Sequence, residues 1–337
     1  MRVAGVIFLI LMLAPAMAAQ KLLDIYFVDV EGGQATLIVT PSKQSILVDA
    51  GWPGYEGRDA KRIVAAAKAA GVKKIDYLVV THYHTDHVGG VPQLVAAMPV
   101  AAFVDHGPNN ETSKGANALF AAYEKAVAQG KRIKVSPGDT LPVKGVEVDI
   151  VAADGSVIPK PRQGAGAANP LCAGEQQKQP DPTENARSIG MVAAYGKFRF
   201  ANLGDITWNK ELELVCPDNK VGEVDVYLTT HHGMNLSGPA AIVHALNPRV
   251  AVMNNGARKG GSPDAWQIIR KSPRLEDLWQ LHYAVAGGKD NNSPDPFIAN
   301  LEERCEAGYR IKLSAKPDGT FTVTNARNKY TKTYAAK

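Results

Sequence analysis

Cysteine is scarce in this chain. There are three in 337 residues, Cys172, Cys216 and Cys305, and none lies at CxxC spacing. This argues against a thiolate zinc ribbon and leaves room for at most one disulfide and one free thiol. Cys172 and Cys216 both fall in polar, proline-containing loops, which makes them the preferred pair of the three possible. No segment repeats at a period of 20 to 50 residues, so a solenoid is not indicated. A strong charge bias is missing too: 38 Lys and Arg against 33 Asp and Glu give +5. Such a mild excess neither requires nor excludes a polyanionic partner, because nucleic-acid binding needs a clustered patch.

Long apolar runs are confined to the start. MRVAGVIFLILMLAPAMAAQ has one arginine, an uninterrupted apolar stretch from Val6 to Leu13, and small residues at Ala16 and Ala18 ahead of Gln20. The uncharged run is short for a membrane span, is broken by Pro15, and ends in cleavable residues, so it reads as a secretory leader occupying 1–19. Its removal takes away Arg2, leaving +4, and predicts an exported chain, periplasmic or secreted, with no membrane attachment afterwards.

Valine- and isoleucine-rich runs at 22–30, 35–40 and 45–50 predict a strand meander. RDAKRIVAAAKAAG (58–71) has helical spacing and stops on Gly71. Strands and helices then alternate: strand 75–80, helix 90–97, strand 101–105, helix 115–130, and strands at 131–135, 140–143 and 146–151. Between Asp154 and Thr183 the pattern breaks, with nine Gly or Pro in 30 residues; a stretch of that kind is a lid or a disordered insertion. The rhythm resumes with strands at 187–195, 197–203, 224–230 and 249–254, helices at 208–215, 238–246 and 263–271, and closing strands at 277–283, 309–316 and 320–325. A mixed α/β layered domain over 20–337 is expected, with an insertion at 154–183 and a loop excursion at 284–308.

The chemistry concentrates in THYHTDHVGG (81–90). Just after a strand, side chains two apart point the same way, so His82 and His84 can grip one ion, while Asp86 and His87 at the following turn face a second position. Imidazole and carboxylate without thiolate suit zinc, with manganese or iron also compatible. HxHxDH in this setting resembles the first signature of the metallo-β-lactamase fold superfamily. That resemblance implies a four-layer αββα sandwich with metals at one sheet edge, an aspartate after a later strand that bridges them, and a histidine after the next. FANLGD supplies Asp205, and VDVYLTTHHG supplies His231, with His232 behind it as a supporting residue. The histidine that most members place between these motifs is absent, and His106 lies too early to replace it.

One branch shares that absence: the hydrolase domain of ComEC-type competence proteins and their secreted relatives, which this chain resembles in DVEGGQA (29–35), LVDAG (47–51), Asn185-Ala186-Arg187-Ser188, Gly204-Asp205 and His231-His232-Gly233-Met234. Asn185 would face the first metal or the substrate. His106 and His282 could line the rim, and each could equally be structural. The implied activity is metal-assisted hydrolysis at a two-metal site, with Asp86 as both ligand and proton carrier. Three readings stay open: a hydrolase of a small ester, lactone or lactam; a phosphodiesterase or nuclease, to which basic residues such as Arg258, Lys259, Arg270, Lys271 and Arg274 are relevant; and a metal-binding or interaction protein without turnover.

Overall fold

A strand with apolar residues at every position must be covered on both faces, and that sets the architecture here. The computed structural model describes residues 21–336, so the leader predicted at 1–19 lies outside the described residues. The chain opens with β1 (Leu23–Phe27), β2 (Thr36–Val39) and β3 (Ser45–Val48), then α1 (Arg58–Ala69), β4 (Ile75–Val79), α2 (Thr85–Val88), α3 (Val91–Ala97), β5 (Val100–Asp105), α4 (Lys114–Val127) and β6 (Lys131–Lys134). A second run follows: β7 (Glu147–Ala153), β8 (Ser156–Val157), β9 (Gly190–Tyr195), β10 (Phe198–Asn202), α5 (Trp208–Val215), β11 (Val226–Leu228), α6 (Ala240–Leu246), β12 (Val250–Met253), α7 (Pro263–Arg270), β13 (Asp277–His282) and β14 (Ile298–Asn300). The chain then returns to the first sheet through β15 (Ile311–Ala315), β16 (Phe321–Asn325) and β17 (Thr331–Tyr334).

The first sheet runs β17-β16-β15-β1-β2-β3-β4-β5-β6 and the second β14-β13-β12-β11-β10-β9-β7-β8. In β3, Ile46 and Val48 point into the space between the sheets, where they meet Phe200, Val226 and Trp279; Leu47, one residue out of phase, packs outward beneath α1, α3 and α4 with Ile63, Leu94 and Tyr123. On the far side Val192, Ala251 and Leu278 pack under α5, α6 and α7. The result is the αββα sandwich of the metallo-β-lactamase fold. The pairs β3–β4–β5 and β10–β11–β12 are parallel, and their carboxyl ends share one edge, where open α/β sheets place their ligands.

The departures from the sequence reading concern weak elements, among them the two-residue β8 inside the insertion. Thr140–Val143 makes only one bridge, Thr140 to Asp149, and is not a strand. The excursion at 284–308 contains β14, and β17 also formed without a sequence expectation; both are four residues or fewer, below the length at which alternation stands out. The insertion follows a defined path. Cys172 is bonded to Cys216, Asn169 donates to the carbonyls of Val215 and Ala241 at 3.2 and 3.0 Å, and Trp208 Nε1 donates to Gln176 O at 3.1 Å. It is a strap lying against α5 and α6. Among the described residues no helix is long and apolar enough to cross a membrane.

Candidate metal centre

Three backbone turns converge before any side chain is considered. Gln34 N–H donates to Asp86 O at 3.1 Å, Ala50 N–H to His87 O at 2.8 Å, and Gly51 N–H to Gln34 O at 3.0 Å. The contact is close enough that a Cβ on Gly33 would lie 2.5 Å from Asp86 O, and one on Gly90 2.0 Å from Ala50 O. DVEGGQA and LVDAG are therefore the bed on which the histidine turn rests.

On that bed Asp86, His87, Asp205 and His232, all buried, bring one donor atom each within 4.8 Å of one another. His87 Nε2 is 3.2 Å from Asp86 Oδ2, 3.2 Å from Asp205 Oδ2 and 3.2 Å from His232 Nε2. His232 Nε2 is 3.2 Å from Asp86 Oδ2 and 3.3 Å from Asp205 Oδ2. Five of the six separations among these atoms are thus nearly equal, and at that spacing a point about 2 Å from both imidazole nitrogens and a carboxylate oxygen exists, the zinc–nitrogen and zinc–oxygen bond length. The donor set fits a divalent ion.

Electrostatics agree. Burial opposes protonation of His87, but the carboxylates of Asp205, Asp86 and Asp49 outweigh it and hold that imidazole well above its ordinary range. The same pairing overcomes burial at Asp205 and Asp86, both held well below the carboxylate range. Without a metal, a proton on His87 supplies the positive charge this cluster requires, and a bound cation would take over that role as the imidazole becomes neutral. Asp49, at the end of β3, accepts from His87 Nδ1 at 2.8 Å, which turns Nε2 toward the cluster.

Beside the cluster is the other half of the expected site. His82 is fully buried, its rings 4.1 Å from His87 and 4.7 Å from His84 between centroids. Among the buried atoms without a hydrogen-bond partner are His82 Nε2, Asp205 Oδ1 and Asn185 Oδ1. Burial, reinforced by the neighbouring His87 charge, keeps His82 neutral, the state in which an imidazole ligates. With Oδ2 in the tight donor group and Oδ1 unpartnered, Asp205 would have an oxygen left for a second ion if one were held there.

The two adjacent histidines sit in an order different from that expected. His232 Nε2 lies in the tight donor group, and its Nδ1 meets Asn254 Nδ2 at 3.1 Å. His231 Nε2 stands 3.5 Å from Asp205 Oδ2, with Nδ1 3.3 Å from Ser237 Oγ. Both have positive φ, 54° and 57°, so strand alternation is broken there and no longer tells which imidazole faces inward. His106 and His282 are both fully buried and paired away from the cluster. His106 Nε2 is 2.9 Å from Glu184 Oε2. His282 Nε2 is 2.7 Å from Asp29 Oδ1, in a group with Glu31 whose space is filled by Arg62, 2.8 Å from Asp29 and 3.2 Å from Glu31.

Sequence reasoning missed Asp49, although it is the aspartate of LVDAG, and it named Lys259 only as surface charge. Lys259 Nζ contacts Asp86 Oδ2, donates to Gly32 O at 2.9 Å and lies 5.1 Å from the Trp52 ring centroid. Glu211 on α5 also went unnoticed. It is fully buried beside the turn Thr230–Gly233, accepts from Gly238 N–H at 2.6 Å, and burial pushes its carboxyl up to about 8. For an acid the sign is as follows: below the unfolded value of 4.5 both states are protonated and nothing is lost, and stability then falls as pH rises toward about 8. At ~1.4 kcal/mol per unit the full penalty is up to about 5 kcal/mol. Glu211→Gln should flatten this slope, so urea unfolding at pH 5 and pH 8.5 should show the variant gaining on the parent at the higher pH; equal slopes would refute the assignment.

Residues 28–167 match the family model described as "Metallo-beta-lactamase superfamily". The chain is 28% identical over 122 residues to a hydroxyacylglutathione hydrolase of Dechloromonas aromatica (strain RCB), covering 36% of this chain and 42% of that protein. It is 23% identical over 263 residues to ComE operon protein 3 of Bacillus subtilis (strain 168), covering 73% of this chain and 30% of that one. The chain thus spans less than half the length of either relative. Among solved structures, the metallo-beta-lactamase fold protein YhfI from Bacillus subtilis aligns with a TM-score of 0.46 and 11% identity over 77% of this chain and 95% of its own. The HxHxDH motif lies inside the matched stretch, and the two-sheet sandwich brings Asp205 and His232 to it: residues 28–167 carry the match to the metallo-beta-lactamase superfamily, and the fold around them is that of the same superfamily.

Proposed function

We propose that this protein is an exported, metal-dependent hydrolase of a small ester, thioester, lactone or lactam. The observation that carries the reading is the buried donor group of Asp86, His87, Asp205 and His232, with the unpartnered His82 Nε2 and Asp205 Oδ1 beside it. Zinc suits this donor set best, and manganese or iron also fit. Divalent ions held there would supply a nucleophilic hydroxide at neutral pH and polarise the bond it attacks. The chain's own part is to bind and orient. Asp49 fixes the His87 ring, Asp86 and Asp205 supply the negative charge that would hold the ions, and Lys259 contacts Asp86 Oδ2 from the side of Gly32. The Cys172–Cys216 bond fits an oxidising compartment, as the leader-like start does.

A small substrate is favoured over a polyanion because the two basic residues that follow β12 at this edge are paired with carboxylates. Arg258 is paired with Glu303 and Lys259 with Asp86, while Arg274 bonds to the carbonyls of Asn247 and Val224 at the opposite ends of the strands. The likeness to a hydroxyacylglutathione hydrolase points the same way. The likeness to ComE operon protein 3 over most of the chain keeps a phosphodiesterase as the second reading. The test is turnover by the purified chain from Gln20 onward, loaded with zinc, manganese or iron, on a thioester, a lactone, a β-lactam chromogen and an aryl phosphodiester. Chelator-sensitive hydrolysis of one of the first three is expected. Preference for the phosphodiester would move the assignment to the second reading, and full metal loading without turnover would show a binding protein.

A further inference from the structure

His84, in the half of the proposed centre that lacks the expected third histidine, has a carboxylate partner outside the tight donor group. His84 Nε2 lies 2.8 Å from Glu111 Oε1. Glu111 stands in the loop after β5, far from every motif, and is held from several sides. Its N–H donates to Asn109 Oδ1 at 3.0 Å, its carbonyl accepts from Asn109 Nδ2 at 2.8 Å, and Oε1 also accepts the Glu184 N–H at 3.2 Å. Glu184 returns the contact by accepting from Asn110 N–H at 2.7 Å and by pairing with His106. Two carboxylates therefore lace the loop after β5 to the turn Glu184–Arg187, the turn that presents Asn185 with its buried, unpartnered Oδ1.

We propose that Glu111 is a positioning residue for the first metal half-site: by accepting the Nε2–H of His84 it fixes that tautomer and leaves the Nδ1 lone pair as the ligating atom. The inference rests on the dinuclear reading given above. The pairing mirrors the one across the centre, where Asp49 accepts from His87 Nδ1 at 2.8 Å and Nε2 faces the cluster; the two rings are engaged through opposite nitrogens, each by a carboxylate. A carboxylate behind an imidazole fixes its tautomer and orientation and raises its basicity, and loss of such a partner costs 10- to 100-fold in metal affinity. Glu111 itself does not belong to the tight donor group, which consists of Asp86, His87, Asp205 and His232. A half-site with two histidines depends more on such support than one with three, and the same carboxylate ties His84 to the segment bearing Asn185.

The test has two readouts. In the metal-free chain labelled with 15N-histidine, at about pH 8.5, His84 should be the Nε2–H tautomer in the parent and in Glu111→Gln, whose amide oxygen still accepts, and a mixture in Glu111→Ala. In cobalt titrations the tighter ion should bind all three proteins alike, while the weaker ion loses 10- to 100-fold in affinity in Glu111→Ala and less in Glu111→Gln. A pure Nε2–H tautomer in Glu111→Ala overturns the proposal whatever the ion count. So does unchanged affinity for the weaker ion. If the parent itself takes one ion, the dinuclear reading fails, and the tautomer measurement still decides whether Glu111 sets the ring. Matching thermal unfolding of parent and Glu111→Gln shows that the fold is retained.

Discussion

Asp205→Ala is expected to lower the metal content from two ions per chain to one at most and to reduce hydrolysis by at least about a thousandfold. Asp205 would serve both halves of the proposed centre. Oδ2 lies 3.2 and 3.3 Å from the Nε2 atoms of His87 and His232, and Oδ1 is buried without a partner. Loss of a carboxylate that merely supports a ligand costs up to about 100-fold in affinity, and loss of a shared ligand should exceed that. The rate effect follows because water at pKa 15.7 is a negligible nucleophile near neutrality, whereas a suitable metal site brings that value to about 7. His82→Ala is the contrasting variant, expected to lose one ion and leave the tight donor group intact. Elemental analysis with calorimetric titration measures both, and retention of two ions by Asp205→Ala would refute the bridging role. Asp205→Asn separates charge from shape: it should keep the fold and still bind weakly.

How much of this centre could be read from sequence depends on whether the determining geometry is local. His82, His84, Asp86 and His87 fall within six positions, so their convergence needs only one strand end and one turn. Asp205 was legible because a glycine-aspartate pair after a strand is a recognisable local event in a known order. Choosing between His231 and His232 was not, because two successive left-handed residues decide which imidazole turns inward, and no periodicity reports that. Glu111 and Lys259 were out of reach for another reason. They reach His84 and Asp86 across 27 and 173 positions, through packing of the loops after β5 and β12. The fold divides the same way: elements of five or more residues with clear alternation were anticipated, whereas β8, β14 and β17 form because a neighbouring strand offers an edge.

The insertion supplies the second large expected effect. Replacing Cys172 and Cys216 with serine should lower stability by about 4 kcal/mol, the loop-closure value for a 44-residue separation. Against total stabilities of about 5–15 kcal/mol that is a major fraction. The strap has other attachments: Arg162 pairs with Asp149 at 2.6 Å, Glu175 accepts from Ala241 N–H at 3.0 Å, Lys178 donates to Asn235 O at 2.8 Å, and Asn169 and Trp208 add neutral hydrogen bonds worth about 1 kcal/mol each. None of these constrains the unfolded chain, which is where the covalent link has most of its effect. The double variant should therefore unfold at markedly lower urea and be cut rapidly by protease between residues 159 and 182. The ion in its tight donor group should be retained, because Asp86, His87, Asp205 and His232 are carried by β4, β10 and β11 rather than by the strap. Cys305→Ser is the control and should change stability by no more than about 0.5 kcal/mol, since Cys305 is unpaired and only half-buried. An unchanged urea midpoint in the double variant would show that the strap is held by its noncovalent contacts alone.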